Sequence, residues 1–395
     1  MDVNPHTRQV VVIGAGPAGV ASALALKDAG LRPLVLDQAD RVGSAWRQRY
    51  DRLRLNTCRF TSHLPGRPFP KGTPLFPTRD QVVEHLESHA HEPGIDLQFE
   101  TRVDKLEADD GWIVSTSAGE VRAPQVVVAT GYENTPLLPE WSRGEGFGGR
   151  LLHACEYKNP EPFRGAAVLV VGPGCTGMEI AYDLAEGGAS KVWLSARTPP
   201  NILTRQGPGG LPGDLMGTAM LHLPVRVGDA VARFGRRMDL GDLSEYGLPV
   251  PEEGVMSRLR RLGVAPAIVD DEMIEAIKAR HIEVVSGVES LEGDEARLAD
   301  GVRLEPDVII CATGYRRGLE PLVGHLGVLD ESGLPRARGA KAAAKGLRFI
   351  GYVPRPGAIG YMGKEARRAA RVIARELREP RMHAWPSRSE AVSVR

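Results

Sequence analysis

Between Val10 and Leu36 the chain alternates short, wholly apolar runs with turns broken by glycine. Val10-Val11-Val12-Ile13 is β-branched throughout and has no polar interruption, the pattern of a strand buried on both faces. It stops at Gly14-Ala15-Gly16-Pro17-Ala18-Gly19. From Val20 to Lys27 small and apolar residues suit a helix packed closely on a strand, and Gly30 is placed to end it. A second strand, Pro33 to Leu36, finishes on Asp37 and completes a βαβ unit of about 30 residues.

The same order then recurs. Ala166 to Val171 predicts a strand, Gly172-Pro173-Gly174-Cys175-Thr176-Gly177 a second glycine turn, Met178 to Glu186 a helix ended by Gly187-Gly188, and Lys191 to Ser195 the next strand. Two apolar strands match each other as well, Gln125 to Ala129 closing on Thr130-Gly131 and Val308 to Ala312 closing on Thr313-Gly314. The fold class implied is α/β, with two Rossmann-like three-layer dinucleotide-binding domains, the second inserted into the first. Residues 1–145 and 316–395 are assigned to the first domain and 146–315 to the second. Ile202 to Pro266, punctuated by Gly and Pro and without a repeat partner, reads as a mostly helical insertion in the second domain, over about 202–266.

Other stretches are less regular. Asp40 to Pro77 is a long loop holding Pro65, Pro68, Pro70, Pro74 and Pro77, and a loop of this kind inside a folded domain is usually functional. Thr78 is placed to cap a helix from Arg79 to His91, while Ile95 to Val103 and Gly111 to Ser117 read as strands. Leu347 to Gly351 predicts one more strand, and Lys364 to Leu377 a helix with Ala366, Ala369, Ala370 and Ile373 on one face. The tail from Pro380 has no clear pattern and is expected to be loosely held.

Composition narrows the classes. A length of 395 residues allows two large domains or three small ones at about 150 residues each. Lys+Arg and Asp+Glu each total 50, which argues against a dedicated nucleic-acid binder, since such a protein carries a basic excess. Cys58, Cys155, Cys175 and Cys311 lie too far apart for a zinc ribbon, an Fe–S cluster or a dithiol centre. The spacing of His85, His89 and His91 reads as a surface face rather than a metal site, so no metal is expected. The run Val10 to Leu26 is too short and too broken by glycine to be a secretory signal or a membrane span, and the expected location is cytoplasmic.

Each G-x-G-x-x-G stands between an apolar strand and a helix. There the glycines permit a tight turn, let a pyrophosphate approach the backbone, and leave the helix N-terminus facing the phosphates. The residues just beyond the next strand separate two nucleotides. Asp37 can accept hydrogen bonds from ribose hydroxyls, whereas the second unit has Ser195-Ala196-Arg197, a hydroxyl and a guanidinium suited to a 2′-phosphate that a carboxylate would repel. This difference assigns FAD to the first unit and NADPH to the second. No nucleophile, acid–base pair or metal cluster stands out elsewhere, which fits chemistry carried by a cofactor.

Phe147-Gly148-Gly149-Arg150-Leu151-Leu152-His153-Ala154-Cys155-Glu156-Tyr157 fits F-x-G-x-x-x-H-x-x-x-(F/Y). On this fingerprint the chain resembles the class B flavin-dependent monooxygenases of the flavin-containing monooxygenase type. It is most similar to their YUCCA-type branch through Trp46, Tyr50-Asp51-Arg52-Leu53-Arg54-Leu55, Phe163-Arg164-Gly165 and Gly333-Leu334-Pro335-Arg336. The resemblance runs from Val10 to about Glu379, and Tyr157, where Baeyer–Villiger relatives carry Trp, points away from those.

The resemblance implies cofactor contacts at Gly14, Gly16, Pro17, Ala18, Gly19, Asp37, Gln38, Trp46, Val103, Ala129, Thr130 and Gly131. It implies others at Gly172, Gly174, Cys175, Thr176, Gly177, Ser195, Arg197, Ala312, Thr313 and Gly314. It places a polar residue, here Asn56, beside the flavin, where its amide could hydrogen-bond a flavin peroxide or the nicotinamide. His153 is expected to hold the linker between the folds rather than move protons, and Arg47, Arg49, Arg52, Arg54 and Arg59 to include one phosphate contact. The implied reaction has NADPH reduce FAD and O2 add at C4a to give a (hydro)peroxyflavin. One oxygen atom then passes to a small organic substrate, oxygenating an amine or sulfur or decarboxylating a 2-oxo acid. Two alternatives stay open, an NADPH-dependent flavin reductase or oxidase releasing H2O2 and a non-catalytic redox sensor. A homodimer is an open expectation, and no nucleic-acid partner is expected.

Overall fold

The computed structural model describes residues 8–143, 146–353, 355 and 357–379. The tail from Pro380, expected to be loosely held, lies outside them. The chain starts with β1 (Val10–Ile13), α1 (Pro17–Asp28) and β2 (Pro33–Leu36), followed by the short α2 (Ser44–Arg47) and by α3 (Arg79–Ala90). Thr78 starts α3 with a reciprocal cap, its hydroxyl accepting from Gln81 N–H while the Gln81 side chain accepts from Thr78 N–H. After β3 (Asp96–Gln98) come three antiparallel strands, β4 (Val103–Ala108), β5 (Trp112–Thr116) and β6 (Gly119–Ala123), then β7 (Gln125–Val128) and the short β8 (Thr135–Pro136). The strand expected over Ile95 to Val103 is therefore two. Glu100 takes a φ of 52° between them, and its N–H and that of Thr101 bond back to Ala39 O and Asp37 O, so the chain leaves the parallel sheet there.

The second half opens with β9 (Arg150–His153), which the sequence pattern does not announce, and continues through β10 (Ala167–Val171), α4 (Cys175–Glu186) and β11 (Lys191–Ser195). The insertion comes next: β12 (Ile202–Thr204), α5 (Gly213–Met220), α6 (Val225–Leu240), α7 (Val255–Leu262) and β13 (Ala267–Val269), with β12 and β13 paired in parallel at its base. Then come α8 (Asp271–Lys278), β14 (Glu283–Val285), a meander of β15 (Val288–Glu292), β16 (Glu295–Leu298) and β17 (Arg303–Leu304), and finally β18 (Val308–Cys311) and β19 (Tyr315–Arg316). Of thirteen large apolar side chains exposed among the described residues, eleven fall between Leu211 and Val264.

The last elements are α9 (Glu320–Val323), β20 (Leu347–Phe349) and α10 (Ala358–Arg378). β20 returns to pair with β7, giving one parallel sheet of order β20-β7-β1-β2-β3, and the other sheet runs β14-β11-β10-β18-β9, also parallel. β1, β2, β7, β18 and β20 are buried at every position, as their unbroken apolar runs require when helices cover both faces. α10 lies on α1, and the alanines on both helices let the backbones approach closely. Arg348, buried in β20, ties α10 to the sheet through Glu376 at 2.6 Å and Gln125 at 2.8 Å.

Candidate functional site

The two glycine turns have the same geometry for the same steric reasons. A Cβ on Gly19 would stand 1.7 Å from Gly14 O, and one on Gly177 would stand 1.8 Å from Gly172 O. Gly14 (φ +104°) and Gly172 (φ +113°) both use the left-handed region, where a Cβ would reach 2.6 Å from Ala129 O and 2.5 Å from Ala312 O. The Ala-Thr-Gly segments are thus the neighbours that press on each turn. Ala129 N–H bonds to Ile13 O, and Ala312 N–H to Val171 O. At the middle glycines, Gly16 and Gly174, a Cβ would meet nothing within 4 Å. Each is the N-cap of its helix, α1 or α4, so open backbone and a helix N-terminus coincide. A pyrophosphate fits such a cradle. Pro17, Ala18, Cys175 and Thr176 form the first turns of the two helices.

The ends of the next strands differ. The Asp37 carboxylate accepts from Ala15 N–H at 2.5 Å and from Ala39 N–H at 2.8 Å, so it braces the first turn while keeping acceptor capacity. Gln38 beside it is exposed. Ser195 is 1% exposed and its hydroxyl donates to Ser286 O at 2.8 Å, which corrects the expectation that it faces a phosphate. Arg197 is the exposed cation of that pair. The Cys175 thiol is also turned away from the turn. Its sulfur accepts from Ile268 N–H on β13 at 3.2 Å, and burial pushes the thiol up to about 11, leaving the Cys175 backbone to face the cradle.

Asn56 sits in the loop between α2 and α3. Its Oδ1 is buried and has no hydrogen-bond partner, an acceptor waiting for a donor that the protein does not supply. The loop packs on the start of α10, where a Cβ on Gly360 would lie 2.2 Å from Thr61 O, and Gly351, leaving β20, packs against Ala18. Both contacts lie at the carboxyl ends of the first sheet, the same end as Gly14 and Ala129. Trp46 lies on α2, whose start is held by Gly43 N–H bonding Ala15 O. Val103 begins β4, in the antiparallel sheet, with its half-buried side chain packed against the core beneath it. Thr130 exchanges a hydrogen bond of 2.8 Å with the buried Tyr352 hydroxyl.

Two contacts that the sequence does not announce lock the halves together. Buried Asp214, on α5 of the insertion, accepts from Cys58 N–H at 3.2 Å and from the Thr61 hydroxyl, gripping the Asn56 loop. Tyr50 donates to Glu179 at 2.5 Å, and Glu179 pairs with Arg205 at 2.7 Å, all three buried, so the loop, α4 and the insertion share one knot. Burial pushes the Glu179 carboxyl up although Arg205 opposes the shift. The arginines expected to offer a phosphate contact have protein partners: Arg47 pairs with Glu87, Arg49 with Glu133, Arg52 with Asp183, and Arg59 donates to Thr73 O. Arg54 is exposed.

The fingerprint folds as β9 and the turn after it. A Cβ on Gly149 would stand 2.7 Å from the Phe147 ring and 2.6 Å from Asp307 O, which explains the glycine. His153 Nδ1 accepts from Cys155 N–H, so Nε2 carries the proton and donates to Gly314 O at 3.1 Å. Burial depresses its pKa. Tyr157, 1% exposed, donates to Asp183 on α4 at 2.7 Å. His85 is buried rather than on a surface face, stacked on Phe69 at 4.2 Å, because the proline-rich loop folds over α3.

A family model described as flavin-binding monooxygenase-like matches residues 7–325. The probable indole-3-pyruvate monooxygenase YUCCA9 of Arabidopsis thaliana is 33% identical over 336 residues, 83% of this chain and 79% of that protein. Indole-3-pyruvate monooxygenase YUCCA1 of Oryza sativa subsp. japonica is 35% identical over 311 residues, 78% of this chain and 76% of that one. Among solved structures, a mutant of the flavin monooxygenase from Stenotrophomonas maltophilia matches with a TM-score of 0.73 at 21% identity, covering 94% of this chain and 99% of the other. Cyclohexanone monooxygenase bound to epsilon-caprolactone matches with a TM-score of 0.72 at 18% identity, covering 94% of this chain and 88% of the other. These structural likenesses establish the two-domain fold. Among the described residues no helix is long and apolar enough to cross a membrane.

Proposed function

This chain belongs to the flavin-binding monooxygenase-like family, in its YUCCA-type branch, and from that premise we propose an oxygenation in which FAD sits on the first glycine turn and NADPH on the second. One oxygen atom of O2 enters a small organic substrate. The observation that carries the reading is the duplicated cradle, open at Gly16 and Gly174, with Asp37 bonded to the first turn and the exposed Arg197 just beyond the strand that follows the second. When bound, the two cofactors supply the electrons and the activation of O2 that the side chains here do not.

The chain's own part is binding, orientation and exclusion of water. Asp37 accepts from a ribose hydroxyl with the capacity left after Ala15 and Ala39, and Arg197 neutralises a 2′-phosphate. Asn56 presents its unpartnered Oδ1 to a donor brought by the bound groups, and Asp214 with the Tyr50–Glu179–Arg205 knot keeps that loop closed against the insertion. The relatives named for indole-3-pyruvate put a 2-oxo acid with an aromatic side chain first among substrates to test.

The experiment is stoichiometric: NADPH and O2 consumed are compared with oxygenated product and H2O2, using indole-3-pyruvate first, then tertiary amines and sulfides. Product matching NADPH supports the reading. Quantitative H2O2 with every substrate moves the assignment to an oxidase, and absence of turnover moves it to a sensor.

A further inference from the structure

α6 carries two faces that are not polar. Gly228, Ala232, Arg236 and Leu240 are buried, and a Cβ on Gly228 would stand 2.8 Å from the Met256 side chain on α7, so this face fixes the helix to the insertion. On another side Val227, Val231, Phe234 and Met238 are exposed, the last two at 68% each. Their spacing of four, three and four sets them in one stripe about 16 Å long. Leu223, four residues before Val227, is exposed as well. Single exposed apolar side chains are ordinary, but a register of them along one helix is a surface made for a partner.

The charges beside the stripe select the partner. At about 100° per residue, Arg226, Arg233 and Arg237 all fall on one flank, about 90–130° round from the centre of the stripe. All three are exposed, and Arg233 Nη2 reaches Glu252 O only at 3.5 Å. The other flank holds Gly228, Gly235 and Asp239, whose carboxylate accepts from the Thr204 hydroxyl at 3.3 Å. Asp229, on the far side of the helix, is engaged by the first turn of α7 through Met256 N–H at 2.6 Å and the Ser257 hydroxyl at 2.5 Å. Asp242, past the end of α6 and within electrostatic reach of Arg237, is held by Ser244 through N–H at 2.9 Å and hydroxyl at 2.6 Å. A second copy of the helix is a poor partner. An antiparallel pair sets each arginine flank against itself, and a parallel pair offers three arginines one acid that is already engaged. A bilayer with anionic headgroups meets both features, its acyl boundary taking the stripe and its phosphates the arginines, whose long side chains reach outward from the flank.

We propose that α6 docks on an anionic phospholipid surface, lying in the plane of the headgroups with Val227, Val231, Phe234 and Met238 turned into the bilayer and Arg226, Arg233 and Arg237 on the phosphates. The helix does not cross the membrane. This docking is independent of the cofactor cradles and of the oxygenation proposed above.

The test is co-sedimentation of the flavin-loaded chain with vesicles of phosphatidylcholine alone and of two parts phosphatidylcholine to one part phosphatidylglycerol. Wild type pellets with the anionic vesicles, about tenfold less with the neutral ones, and less again as salt rises. The double variant Phe234→Gln/Met238→Gln loses binding to both by about tenfold or more. The triple variant Arg226→Gln/Arg233→Gln/Arg237→Gln binds the two kinds of vesicle alike. Flavin content and thermal midpoint match wild type in both variants, because every altered side chain is exposed. Wild type that stays in the supernatant with anionic vesicles overturns the proposal, as does equal binding of wild type to both lipids or unchanged binding by the double variant. Sedimentation velocity without lipid supplies one more outcome: a dimer that the double variant breaks gives the stripe to a second copy and overturns the membrane assignment. Should the double variant fail to fold, the triple variant decides, and a preference for anionic vesicles that survives in it overturns the site.

Discussion

The first and second glycine turns are the same object in backbone and opposite objects in charge. Both use a left-handed first glycine, an open middle glycine, and a third glycine whose hydrogen faces a carbonyl closer than any Cβ tolerates. The first is closed by the carboxylate of Asp37, which hydrogen-bonds its own turn, while at the second the hydroxyl of Ser195 is turned into the sheet and Arg197 stands in solvent. Sterics therefore make two cradles of one shape, and on the function proposed above the few atoms at the end of the next strand choose the dinucleotide. The middle and third glycines can be used to separate folding from binding.

The largest effect is expected at the third glycines. Gly19→Ala and Gly177→Ala force a methyl into Gly14 O or Gly172 O, so each costs about 3 kcal/mol or more and yields little folded protein, seen as a loss of soluble, cooperative material. Gly16→Ala and Gly174→Ala, by contrast, fold normally. The first loses the yellow flavin on gel filtration, and the second keeps it while the KM for NADPH rises. Were both to bind their nucleotides normally, the open middle glycine would not be where a pyrophosphate approaches.

Next in size is the knot that joins the two halves. Arg205→Met leaves the buried Glu179 carboxylate with only the Tyr50 hydroxyl, a change of about 3 kcal/mol in unfolding free energy read from the denaturant midpoint. Arg197→Ala is milder, lowering the preference for NADPH over NADH about tenfold, or about 1.4 kcal/mol, with stability unchanged because the side chain is exposed. An unchanged preference would return Arg197 to the status of a surface arginine.

How much of the molecule is legible in the chain alone depends on the range of the forces involved. Buried parallel strands and glycine turns are legible because full burial and a 1.7 Å clash are set by residues close in sequence. β9 is not, since only Leu152 and His153 of its four residues are buried and its partner β18 lies far along the chain. The hydroxyl of Ser195 misleads because its acceptor, Ser286 O, belongs to a segment with no motif. Asp214, Glu179 and Arg205 give no signal at all: each is one polar residue among many until the fold sets it against a partner from another element.

The smallest effect expected concerns the histidine buried in each half. Burial depresses His85 from 6.5 to about 4 and lowers His153 as well, so in both cases the folded chain holds fewer protons than the unfolded one just below neutrality. Stability is then present in full above the unfolded value near 6.5 and falls as pH drops from there toward about 4. For His85 the loss builds up across that window and levels off below about pH 4. His85→Phe, which keeps a ring against Phe69, flattens the fall in denaturant midpoint between pH 6.5 and 5. An unchanged profile in the variant would mean that His85 binds its proton alike in the folded and unfolded chain and that its burial among Phe69 and Leu64 is looser than the stacking indicates. His153 has a firmer hold, its Nε2 proton donated to Gly314 O, and that bond ties β9 to the turn that follows β18. Replacing His153 should therefore disturb the packing of β9 against the turn after β18 as well as the pH profile, whereas replacing His85 should change the profile alone.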